Sequence, residues 1–309
     1  CCYDSNRALG VDWGDMLPAD SVKLHGKIYF VECDIRTHLT RRMQDNRPGK
    51  YPDDKYLLYD ANGNKTVWCG PDTKELSISA IRKAFAHQIT KGSGIWWFDM
   101  WGGWYKDKDI MNELSEMKLI YDNSKNKNTK ALPSAEVVIF IDEKAYANIP
   151  QGNHLLNTVN HYRITMSHTG IPFDMCLVED AKEVINKYKC AIFTAPRPTE
   201  NGKNAIELYQ KHSVPFIAST EDKTYYDINE LRDLLVSSGV HCYNDNGDVF
   251  YCGNGFIGIH KVDDGVTKIT LPEKYKIRPL LDAEKSEFEA DTIIVTGPKH
   301  STNFYEIME

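Results

Sequence analysis

The 309-residue sequence predicts an α/β protein built in three parts. Short apolar runs recur at the spacing of strands separated by helix-length segments, first around residues 28–105 and again from about 135 to 235. Beyond residue 240 the helical period disappears, leaving only strand-like runs broken by Gly, Pro and Asp. Single cores usually stop growing at about 250–300 residues, so a chain of this length suits more than one unit. A hydrophobic fraction of 41%, with 11% aromatic and 26% charged residues, is that of an ordinary folded protein.

The first part begins with "KIYFVE", a buried-strand run. A helix follows in "DTKELSISAIRKAFAHQITKGSG", where Asp72 and Glu75 are spaced as a capping box. Ile78, Ile81, Phe85 and Ile89 share one face of it, and Gly92 stands ready to end it. "GIWWFDM" is the next strand, and a strand–helix–strand unit of this kind pairs its strands in parallel. The polar stretch "YDNSKNKNTKALPS" then reads as a linker.

Four apolar strands come next: "AEVVIFID", "PFDMCLVED", "KCAIFTAP" and "VPFIAS". Helix-compatible segments separate them and "DINELRDLLVSSG" closes the set, the pattern of a doubly wound parallel sheet of flavodoxin type. The final part, "DVFYCGNGFIGIHK", "VTKITLP", "EFEADTIIVTG" and "STNFYEIM", reads as a small antiparallel β domain. The expected units are 1–122, 134–240 and 241–309.

Charge and cysteine usage exclude several functions. A formal net charge of -7 and an isoelectric point near 5.8 argue against nucleic acid or an anionic membrane as the main partner. No run reaches the ~18 apolar residues of a membrane span. The eight cysteines (1, 2, 33, 69, 176, 190, 242 and 252) have neither C-x-x-C pairing nor the Cys/His spacing of a zinc site. They read as free thiols of a reducing, cytoplasmic compartment, with no metal or cofactor expected.

The chemistry-bearing stretch is "GKIYFVECDIRTHLT", where an apolar strand runs into Glu32, Asp34, Arg36 and His38 at alternate positions. Persisting extension would set all four on one side. In a parallel α/β barrel, the C-terminal strand ends carry the active groups, so this change from apolar to charged is a passage from core to site. In "GIWWFDMWGGWY", Trp96, Trp97, Trp101 and Trp104 crowd around Asp99 and two glycines. Indole faces stack on the C–H faces of sugars, which suits a carbohydrate pocket; one of Trp96 and Trp97 is expected in the core, and Trp101 and Trp104 on a pocket-lining loop. The competing reading is an exposed strand end with solvated ion pairs and core-filling aromatics.

The runs "LPADSVKLHGKIYFVECDIRTHLT" and "IRKAFAHQITKGSGIWWFDMWGGWY" resemble the end of the catalytic (β/α)8 barrel of bacterial glycoside hydrolases related to the family-42 β-galactosidases. Residues 135–235 resemble the β-galactosidase trimerisation domain, a flavodoxin-like module akin to class I glutamine amidotransferases, and such enzymes end in a small β domain. The resemblance implies a partial (β/α)8 barrel, with Glu32 at the nucleophile position on strand 7 and "GIWWFDM" as strand 8. It also implies a carbohydrate substrate contacted by Asp34, Arg36, His38, Trp97, Asp99, Trp101 and Trp104, and a homo-oligomer, with a trimer as the state the resemblance suggests. The acid/base partner falls outside the chain, because no Glu precedes Glu32. The segment before Glu32 resembles only the strand 6 region and its following helix. A whole barrel takes ~250 residues. With Cys rather than Met at its start, the sequence is therefore expected to be the C-terminal portion of a longer retaining enzyme, inactive alone.

The alternative is a non-catalytic carbohydrate-binding or oligomer-assembly protein of the same architecture. Cys176 and Cys190 lack the small-residue surroundings of a nucleophile elbow, and His154, His161 and His168 read as packed or surface side chains. "GNGFIG" reads as a β-turn rather than a nucleotide loop. The loop after "AEVVIFID" lacks the residues that cradle a flavin phosphate.

Overall fold

A computed structural model describes residues 7–40, 70–99, 102–124, 133–148, 153–282 and 286–308. Helix α1 (Ala19–Leu24) precedes β1 (Phe30–Cys33), α2 (Lys74–Lys91), β2 (Gly94–Trp97) and α3 (Lys108–Ser124). Strands β1 and β2 pair in parallel, as the strand–helix–strand pattern requires. The α2 N-cap is Thr73 rather than Asp72: its side chain accepts from the Leu76 N–H. Threonine and aspartate compete for the same orphan donors, and here the extended residue nearer the helix takes them. Gly92 ends α2 at φ +65°, a left-handed conformation that glycine adopts without strain. Residues 7–18 hold no strand, contrary to the strand expected there; they run along α2, where the buried Lys83 ammonium donates to the carbonyls of Ala8 and Val11 at 2.5 and 2.7 Å.

The doubly wound part matches its expected strands in order. Strands β3 (Val137–Ile141), β4 (Phe173–Leu177), β5 (Cys190–Phe193) and β6 (Phe216–Ala218) form a parallel sheet ordered β4-β3-β5-β6. Alternate residues feed two cores. Val137, Ile139 and Ile192 pack against Tyr162 and Met166 of α4 (Asn153–Ser167) on one face. Val138, Phe140 and Ala191 pack on the other, against α5 (Ala181–Val184) and Ala205 and Tyr209 of α6 (Glu200–Lys211). Helix α7 (Ile228–Ser237) adds Leu231 and Leu235 to the first core. A parallel sheet needs this double cover, which is why β3 reads as an unbroken apolar run.

The last part is an antiparallel sheet, ordered β10-β9-β11-β8-β7. Its strands are β7 (Val249–Gly253), β8 (Phe256–His260), β9 (Gly265–Leu280), β10 (Phe288–Gly297) and β11 (Thr302–Met308). Asn254 and Gly255, both at positive φ, make the β7–β8 turn, so "GNGFIG" is a hairpin. Strand β9 does not stop at Pro272. The β9–β10 register shifts between Ala290 and Thr292, and that irregularity accommodates a residue unable to donate to the ladder.

Helix α2 joins the first and last parts. Ile81, Ala84, Phe85 and Ile89 meet Val31 and Cys33 of β1 and Val249, Tyr251, Phe256 and Phe304 of the antiparallel sheet in one core. Each fully buried large side chain contributes on the order of 1.5–3 kcal/mol. The polar side of α2 is buried too. His87 lies edge-on to Tyr251 and 3.3 Å from Asp15, while the Tyr251 hydroxyl donates to Asp12 and accepts from the Trp13 N–H. At the C-terminal end of α2, the Lys91 ammonium reaches Asp174 on β4 at 2.9 Å, and Asp20 of α1 accepts from the Met175 N–H at 2.8 Å. Burial works against the charge on Lys91, but Asp174, Asp20 and Asp15 outweigh it and raise its pKa. No helix among the described residues is long and apolar enough to cross a membrane.

Burial pushes the Asp15 carboxyl up, yet the charges of His87 and Lys91 and the hydrogen bonds of His87 and Gln88 bring it below its ordinary 3.8, to about 2. The stabilisation tied to this shift is therefore complete above about pH 4 and is lost as the pH falls toward 2. Replacing His87 with Gln is expected to move the acid-unfolding midpoint to higher pH, measured by circular dichroism across a pH titration.

Candidate active site

The site is built on the β1–β2 pair. Its register sets Phe30 opposite Gly94, Val31 opposite Ile95, Glu32 opposite Trp96 and Cys33 opposite Trp97. Paired residues project to the same side of a sheet. Val31, Cys33, Ile95 and Trp97 enter the core with α2. Phe30, Glu32 and Trp96 therefore lie on the opposite face, where Phe30 and Trp96 remain 60% and 48% exposed. Glu32 is half-buried there, and no described residue hydrogen-bonds its carboxylate.

Beyond Cys33 the chain leaves the ladder, so the extended row of four charges does not form. Asp34 turns inward, with a side chain 3% exposed, and receives Arg7 Nη2 at 2.5 Å while pairing closely with Arg36. Arg7 Nε also donates to the Asp34 carbonyl at 2.8 Å. The Arg36 guanidinium lies 4.8 Å from the Trp104 ring centroid, and the Thr37 hydroxyl donates to the Trp104 carbonyl. The Tyr105 hydroxyl reaches the carbonyl of Ile35 at 3.1 Å, and burial raises its pKa. Arg36 and Thr37 thus bind the segment after β1 to the segment after β2, while Asp34 ties it to Arg7. Their charge pattern is visible in the sequence; their inward turn follows from Arg7, 27 residues away from Asp34 in the chain. His38 packs on the start of α2, its N–H donating to Ser77 Oγ at 2.8 Å.

The tryptophans divide differently from expectation. Trp104 is fully buried in the α2 core rather than lining a pocket, because Arg36 and Thr37 cover it. Trp97 lies on the helix side of the sheet, edge-on to Tyr105 at 6.3 Å, and borders an apolar cleft of about 440 Å³ with Phe85, Leu114 and Met117. Trp101 falls outside the described residues. Asp99 Oδ2 accepts from the Trp104 N–H at 2.9 Å, while its Oδ1 is buried with no hydrogen-bond partner among the described residues. The aromatic beside Glu32 is Trp96, edge-on to Phe98 at 5.3 Å. Strand alternation combined with the parallel register would have selected it over Trp97.

The doubly wound part offers little competing chemistry among its described residues. Cys190 opens β5, at the end opposite to where an elbow would sit, and Cys176 is buried within β4 one residue before its end rather than on a turn beyond it. Burial pushes these thiols up to about 12 and about 11, keeping them protonated. At the end of β3, Asp142 accepts from the Thr199 N–H at 2.7 Å and from the Thr199 hydroxyl at 3.0 Å. A carboxylate therefore occupies the start of α6, the position where a doubly wound sheet would receive a phosphate. His161 and His168 engage the carbonyls of Tyr226 and Gly247, and the His154 side chain lies outside the described residues.

No family model and no curated protein matches the sequence. Several solved structures are similar to part of it. A β-galactosidase from Bacillus circulans sp. alkalophilus aligns at a TM-score of 0.46 and 10% identity, over 70% of this chain and 50% of that one. An apo exo-carrageenase GH42 from Bacteroides ovatus aligns at 0.45 and 12%, over 76% of this chain and 39% of that one. The chain thus spans half or less of the length of both.

Asp34 and Glu32 are expected to separate cleanly in their effect on stability. Asp34→Asn removes the countercharge of two guanidinium groups and should cost about 3–5 kcal/mol in urea denaturation. Glu32→Gln, at a carboxylate without a hydrogen-bond partner among the described residues, should stay within about 0.5 kcal/mol.

Proposed function

We propose that this chain is the C-terminal portion of a retaining glycoside hydrolase, β-galactosidase-like, in which Glu32 is the nucleophile and the acid/base residue belongs to a segment outside this chain. The observation that carries the reading is the placement of Glu32: half-buried, without a hydrogen-bond partner among the described residues, on the sheet face away from α2 and beside an exposed tryptophan. Among the described residues only one face of this parallel pair is covered, whereas parallel strands are normally covered on both. Further strands on the edges of β1 and β2 would turn the Glu32 face into the interior of a barrel, with Glu32 near its C-terminal rim.

Glu32 would attack the anomeric carbon as the second carboxylic acid protonates the departing oxygen. Water, activated by that second group, would then release the sugar from Glu32. The two carboxyl groups must stand about 5–5.5 Å apart for this double displacement. Trp96 supplies a stacking face for the sugar, and Asp99 Oδ1 an acceptor for a hydroxyl. Asp34, Arg36 and Trp104 act as positioning residues, since their contacts fix the segment that follows Glu32. His38 and Trp101 are further candidates for substrate contact, whereas Trp97, on the helix side of the pair, faces away from Glu32. The doubly wound part serves homo-oligomer assembly in this reading.

The test is hydrolysis of an aryl β-galactoside. The chain alone is expected to show no turnover, and the longer parent protein to lose about 10³-fold or more on Glu32→Gln. Robust hydrolysis by the chain alone, or an unaffected variant, would overturn the assignment. Saturable galactoside binding without turnover by the parent would favour a non-catalytic carbohydrate-binding role.

A further inference from the structure

Away from the Glu32 face, three potential metal ligands converge where α1 meets the doubly wound part. His25 caps the C-terminal end of α1, and its Nε2 lies 2.8 Å from Asp180 Oδ1, across 155 residues of sequence. Asp180 ends the short 3-10 turn Val178–Asp180 just before α5, and Glu183 follows one turn later. One ligand atom from each of His25, Asp180 and Glu183 lies within 4.8 Å of the others. The Asp180 side chain is only 5% exposed, and its Oδ2 has no hydrogen-bond partner among the described residues. A buried carboxylate oxygen left in that condition pays an uncompensated desolvation cost, which a bound cation would offset.

We propose that His25, Asp180 and Glu183 form a binding site for a divalent first-row metal ion, which staples α1 to the doubly wound part. One imidazole nitrogen and two carboxylate oxygens suit Zn²⁺, Co²⁺ or Mn²⁺ better than the all-oxygen preference of Ca²⁺ or Mg²⁺. Ligand atoms about 2.0–2.2 Å from Zn²⁺ stand closer together than the widest separation here, and rotation of the exposed Glu183 side chain closes that gap. His25 is 58% exposed, so the ion has a solvent path and room for water in its fourth position. The sequence pattern hides the site, because two ligands sit at i and i+3 while the third is far upstream. An ion held by the folded form alone would stabilise it by mass action.

The test is calorimetric titration of the chelator-treated chain with ZnCl₂, alongside thermal unfolding. One Zn²⁺ per chain and a higher Tm are expected. His25→Ala and Glu183→Gln should each weaken binding about tenfold or more and abolish the Tm rise. Both positions are exposed enough for the fold to survive. Titration with Co²⁺ separates this site from the cysteines, since a His/carboxylate site gives no thiolate charge-transfer band. The proposal is overturned by absence of saturable binding, by unchanged affinity in both variants, or by a thiolate band.

Discussion

Burial of helix α2 on nearly every side is the constraint from which the arrangement follows. Its apolar residues serve the β1–β2 pair and the antiparallel sheet together, so neither surface can be placed independently of the other. The polar groups forced inward with it each meet a specific partner. Lys83 satisfies two carbonyls of the N-terminal segment, His87 meets Asp15, and Lys91 reaches across to Asp174. Breaking one of these contacts leaves a buried charge without compensation, which costs more than the intact contact contributes. Their value lies in fixing one relative placement of the parts.

That placement gives the β1–β2 pair two unlike faces. One is consumed by α2; the other carries Glu32, Phe30 and Trp96. The Asp34–Arg7–Arg36 cluster then anchors the chain as it leaves β1, and Thr37 and Tyr105 tie it to the segment after β2. Glu32 thus stands just before a firmly anchored strand exit, on the face opposite α2. Core-facing and outward-facing residues alternate along one strand end.

Much of this was legible in the sequence. Continuous apolar runs marked β3–β6 because a doubly covered sheet has no polar face, and Gly92 and the Asn254–Gly255 pair marked places where the backbone takes positive φ. What was hidden depended on distant partners. The inward turn of Asp34 needs Arg7, the burial of Trp104 needs Arg36, and the His25–Asp180 contact spans two parts of the chain. Pro272 misled because a register shift can hold a proline within a long strand. Choosing Trp96 over Trp97 required the register between strands, which no single-strand pattern contains.

The role of Glu32 is open to one direct measurement: trapping with an activated 2-deoxy-2-fluoro-β-galactoside in the longer parent protein, followed by peptide mass mapping. A retaining nucleophile at this position predicts a single fluorosugar adduct on the peptide containing Glu32. A label on another carboxylate, in protein that is inactivated stoichiometrically, would contradict it.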